Sequence, residues 1–66
     1  VTVQEAHTAA RHAQAIVDGC EDIDELDKAS SVKQADRDCP PDFTDEMRDL
    51  AQLILLDSYL AAIGRA

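Results

Sequence analysis

Aromatic residues are nearly absent from this chain: no tryptophan, one phenylalanine (Phe43) and one tyrosine (Tyr59). That scarcity argues against stacking on nucleic-acid bases. Positive charge is scarce too. Fourteen acidic side chains face six basic ones, for a formal net charge of −8. Without a cationic footprint, direct nucleic-acid binding is not expected. Only two glycines occur, Gly19 and Gly64, so no glycine-rich phosphate loop can form. The two cysteines, Cys20 and Cys39, form no C-x-x-C motif, which removes thioredoxin-type redox chemistry and any anchor for zinc. Ser30, Ser31 and Ser58 have no nucleophile-elbow context. The longest run of large apolar residues, Leu53-Ile54-Leu55-Leu56, is far too short to span a bilayer. The first residues, Val1-Thr2-Val3-Gln4-Glu5, have no basic region followed by an apolar run, so a cytoplasmic protein is expected, with a trimmed leader as the alternative.

What remains is size, acidity and helical patterning. Sixty-six residues make a single small helical domain, residues 1–66. Chains this short are marginal alone and generally need a crosslink, a metal or a partner. A Cys20–Cys39 bridge would stabilise the fold by roughly 3 kcal/mol in the chain-entropy model. A reducing compartment would keep both as thiols. Since 45% of the residues are apolar, the chain is not a disordered acidic tail. An Ala- and Asp-rich chain with two lysines is common in GC-rich bacterial genomes, which is an association rather than a physical argument.

Helix start and stop signals divide the chain. Thr2 and Glu5 form a capping box, and Gly19 suits a left-handed stop, so a first helix is expected over about residues 3–18. Val3, Ala6, Ala10, Ala13, Val17 and Cys20 would form its apolar seam, mostly alanine. Between Glu21 and Asp38 the apolar residues recur every third position and leave any one helix face, so the segment should break. Ser31 with Gln34 places the break near Ser30-Ser31. Cys39-Pro40-Pro41 ends that segment and forms a hinge. Thr44 then caps a helix over about residues 45–63, with Gly64 as its stop. The fold class is all-α: two long helices joined by a short, broken helical segment, completed by dimerisation.

The last helix poses the main problem. Met47, Leu50, Ile54 and Ala61 gather within about 60° on a helical wheel, while Leu53, Leu56, Leu60 and Ile63 gather within roughly 80° on nearly the opposite side. Leu55 and Tyr59 fall between. A helix apolar on two sides must be covered on two sides. The alanine-rich first helix, with Ile23, Leu26 and Val32, can cover only one. Leaving the second face in water would forgo on the order of 6–12 kcal/mol. Leu53, Leu56, Tyr59, Leu60 and Ile63 are therefore the expected partner interface, with a homodimer as the default. A bundle whose last helix is central and wholly covered is the alternative.

His7 and His12 lie about 140° apart on a helix, cannot share one metal and should face solvent. Asp18, Glu21, Asp22, Asp24, Glu25 and Asp27 place six carboxylates in ten residues. The run lacks the EF-hand glycine, which disfavours calcium. It reads as a solvated cluster or as a docking surface for a basic protein, such as one whose nucleic-acid groove it could fill. The expected function is binding without catalysis, cofactor or metal: a small adaptor, inhibitor or regulator. Alternatives are an acidic inhibitor or nucleic-acid mimic, and a structural subunit of a larger assembly such as a phage- or plasmid-encoded one.

Overall fold

A computed structural model describes residues 1–65. Among them are four helices and no strand: α1 Val3–Gly19, α2 Ile23–Ala29, α3 Val32–Asp38 and α4 Asp45–Arg65. The fold is therefore all-α, two long helices flanking a broken middle segment. The last helix is the hub, packing chiefly on α1 and also on α2 and α3. The molecule measures 34 × 21 × 16 Å.

Local chemistry explains the helix starts. Thr2 Oγ1 accepts from the Glu5 N–H at 3.1 Å, and Glu5 Oε1 accepts from the Thr2 N–H at 3.0 Å, closing the capping box. Those bonds to Thr2 hold the Glu5 carboxyl below its usual pKa. Asp22 caps α2 by accepting from the Glu25 N–H, and Ser31 caps α3 by accepting from the Gln34 N–H. The break at Ser30-Ser31 is real, but Gln34 does not reach back to complete a box; its amide donates to Asp38 instead. Thr44 Oγ1 accepts from the Met47 N–H at the start of α4. Cys39 is extended (φ −69°, ψ 128°), as a residue before proline must be, and ends α3.

Neither glycine acts as a left-handed stop. Gly19 is the last residue of α1, no glycine has positive φ, and Cys20 leaves the helix extended. The last turn closes instead through the Cys20 N–H to the Val17 carbonyl, and the Cys20 thiol donates to the Ile16 carbonyl. Gly64 lies inside α4, which continues to Arg65.

The core is small. Ala9, Ala13, Ala35, Met47, Ala51 and Leu55 are buried together, with Ile16, Val17, Phe43, Leu50 and Ile54 packed partly against them. Leu55, expected between two faces, is instead the deepest large side chain, at 1% exposure. The buried side of α4 runs Met47–Ala51–Leu55, rotated from the expected Met47–Leu50–Ile54–Ala61 line, and Ala61 is exposed. The first helix is rotated similarly. Ala9 and Ala13 are fully buried, while Val3, expected on the seam, is 75% exposed. Pairing small residues lets α1 and α4 meet through Ala9, Ala13 and Ala51, with Leu55 and Met47 supplying most of the volume. From the middle segment Leu26, Ala29 and Ala35 are buried, while Ile23 and Val32 remain exposed.

Two polar ties seat the broken segment. Gln52 Nε2 donates to the Ser30 carbonyl at 2.9 Å, pairing a polar group at the buried α2–α3 junction. Arg48 bridges Asp36 of α3 at 3.1 Å and Asp45 at 3.4 Å. Being partly exposed, each ion pair contributes at most about 1 kcal/mol.

Candidate protein-docking face

With Met47, Ala51 and Leu55 turned inward, helix geometry fixes what faces out. Leu53 and Leu60 lie roughly 140–180° round α4 from Ala51 and Leu55. They are 57% and 51% exposed, and Ile63 is 43% exposed. Leu56 and Tyr59 are partly buried on the flank. The residues expected to form an interface thus lie along one side of the last three turns, with Leu56 and Tyr59 less exposed than the other three.

Charge is unevenly distributed along this helix. Asp45, Glu46 and Asp49 are exposed in its first turns. From Leu53 to Gly64 the only charged side chain is Asp57. The C-terminal half therefore offers an apolar strip with the spacing Leu53-x-x-Leu56-x-x-x-Leu60-x-x-Ile63, which is the spacing by which helices pair.

A second apolar feature adjoins it. Val3, Ala6, His7, Ala10, Leu50 and Ile54 line an open groove of about 380 Å³ between α1 and α4. The expected seam of α1, running through Val3, Ala6 and Ala10, had hidden it. Once Ala9 and Ala13 turn inward, those three residues fall at the groove. The signal was available in the pattern, since Ala9–Ala13–Ile16 is an equally regular small or apolar line.

The histidines separate in environment. His7 is exposed at the groove, whereas His12, expected in solvent, is partly buried edge-to-face against Phe43, with ring centroids 5.2 Å apart. The aromatic pair closes α1 against the turn before α4. Both cysteines are free thiols. Burial is the main cause raising the pKa of each, helped at Cys20 by Glu25 and Asp22. Such thiols stay protonated at neutral pH and are poor nucleophiles and metal ligands. Among the described residues, no group of three or more His, Cys, Asp or Glu side chains is placed to hold a metal ion.

The acidic run is exposed throughout, but part of it serves the backbone. Asp22 caps α2 and Glu25 accepts from the Glu21 N–H at 2.8 Å, while Asp18 accepts from the Gln14 side-chain amide at 2.9 Å. Glu21, Asp24 and Asp27 are left facing solvent. None of the six takes part in an ion pair among the described residues. A groove of about 420 Å³ beside Asp27 is lined by Lys28, Lys33 and Arg37 together with Ser31 and Gln34.

No known family model matches the chain, and neither a curated protein nor a solved structure matches it. Among the described residues no helix is long and apolar enough to cross a membrane.

Proposed function

We propose that the protein is a small interaction module that acts by binding other protein chains, without catalysis, through the outward face of α4. A second copy of the chain is the preferred occupant. The observation that carries this reading is the exposure of Leu53, Leu60 and Ile63 on one strip of a helix whose other side fills the core. Two opposed apolar faces on one helix call for two partners, and α1 with α2 and α3 supplies one. Adaptor, inhibitor and regulator are the roles this binding would serve, in a reducing, cytoplasmic setting that suits two unpaired thiols.

Sedimentation equilibrium tests the reading. The protein should be dimeric at micromolar concentration, and Leu56→Glu with Leu60→Glu should render it monomeric at unchanged helical content. A monomer at every concentration would remove self-association. A second reading, docking of a basic protein on residues 18–27, draws support from the absence of ion pairs to those six carboxylates among the described residues. It requires binding that weakens steeply with salt and is lost when Glu21, Asp24 and Asp27 are neutralised.

A further inference from the structure

The chain has only six basic side chains against a net charge of −8, yet three of the six stand on one groove. Lys28 lies in the last turn of α2, and Lys33 and Arg37 lie one turn apart on α3. With Asp27, Ser31 and Gln34 they line an open groove of about 420 Å³. We propose that this groove binds a phosphate group, the dianion of a phosphate monoester, through Lys28, Lys33 and Arg37. No residue of α4 lines the groove, so the site does not depend on what covers that helix.

Two observations carry the assignment. The first is that these cations lack partners where partners abound. The chain has 14 carboxylate side chains, but among the described residues none of the three cations forms an ion pair. Arg48 shows the contrast, since it bridges Asp36 at 3.1 Å and Asp45 at 3.4 Å. The carboxylates nearest in sequence are engaged elsewhere or stand apart. Asp36 is held by Arg48, and Asp38 accepts from the Gln34 side-chain amide at 3.0 Å. Asp24 precedes Lys28 by four residues, the spacing at which helical ion pairs form, and no pair forms there. The second observation is that the arrangement opposes the helix that carries it. Lys33 and Arg37 are four residues apart on a helix of only seven, a spacing at which like charges weaken a helix. An anion seated in the groove turns that repulsion into shared attraction.

The lining decides which anion fits. Asp27 is the one carboxylate on the groove, so three positive charges face one negative. A phosphate monoester, with close to two negative charges at neutral pH, matches that balance; a single carboxylate does not. Arginine offers a planar fork of donors to phosphate oxygens, and lysine supplies a compact charge beside it. No aromatic or aliphatic residue lines the groove, so it has nothing to grip an organic remainder and reads the phosphate itself. The acidity of the chain as a whole opposes any anion. At physiological salt, however, the screening length is about 8 Å, and the nearest charges dominate.

Titration with inorganic phosphate, followed by amide NMR at an ionic strength held constant with sodium chloride, tests the site. Shifts should saturate in the millimolar range and centre on the segment from Asp27 to Arg37. Lys33→Gln with Arg37→Gln should weaken binding by about tenfold or more, and Asp27→Asn should strengthen it about threefold. That gain cannot come from unfolding, so it decides the matter even where the double variant folds poorly. A short phosphoserine peptide flanked by glycines then identifies the source. Tighter binding than inorganic phosphate assigns a phosphate borne on protein, and equal or weaker binding assigns a small phosphate ester. Shifts that grow linearly without saturating, or equal affinity in the unaltered protein and both variants, would overturn the proposal.

Discussion

The two sides of α4 have similar composition and different surroundings. The inner side presents Met47, Ala51 and Leu55, all at 6% exposure or less. The outer side presents Leu53, Leu60 and Ile63, all above 40%. Leucine lies on both, so hydrophobicity alone does not decide which side is buried. The deciding factor is fit. A small residue, Ala51, sits between Met47 and Leu55 and admits the alanines of α1, so the helices approach closely. The outer strip has only large residues and no such gap, which suits side-by-side pairing with another helix.

The largest test of this contrast is Leu55→Ala. Removing the one large, fully buried side chain should cost about 2–5 kcal/mol, enough to unfold much of a domain this small at room temperature. Urea denaturation followed by circular dichroism measures it. Next comes Gln52→Ala, on the border between the two sides. It removes the donor to the Ser30 carbonyl and should cost about 1–3 kcal/mol, with hydrogen exchange rising first at the α2–α3 junction. Gly19→Ala probes the support that α1 gives the inner side. Its backbone is not left-handed and an added methyl meets nothing within 4 Å, so the substitution should stabilise by about 0.4–1 kcal/mol in thermal unfolding. Destabilisation would mean that Gly19 is a left-handed stop after all. Smallest is Leu60→Glu on the outer side, which should change the stability of the isolated monomer by no more than about 0.5 kcal/mol in dilute solution.

A pH titration complements the series at the start of α1. The folded-state pKa of Glu5 is lowered, so its contribution is present above the ordinary carboxylate value near 4.5 and is lost as pH falls through the folded value. Glu5→Gln should flatten that part of the acid-unfolding profile.

The helices themselves were legible in the sequence because their starts are written in short-range chemistry. Thr2, Asp22, Ser31 and Thr44 each accept from the N–H three residues on, and Cys39-Pro40 forces an extended end. The rotation of α1 and α4 was not legible. Several residue lines on each helix are equally regular, and choosing among them depends on which alanines meet across the interface. The glycines misled for a related reason: both were read as stops, yet Cys20 ends α1 through its own backbone and thiol. The Gln52–Ser30 tie spans 22 residues and carries no local signal. For the candidate site, the Leu53–Ile63 strip could be drawn from spacing alone, whereas the groove beside Leu50 and Ile54 emerged only once Ala9 and Ala13 were seen to turn inward.

If a second chain covers the outer side of α4, stability must depend on protein concentration. Thermal unfolding across protein concentrations from micromolar to millimolar tests it most directly, since a dimer's midpoint rises with concentration by mass action. The midpoint should rise for the unaltered protein and stay constant for Leu60→Glu. A midpoint independent of concentration in the unaltered protein would contradict it.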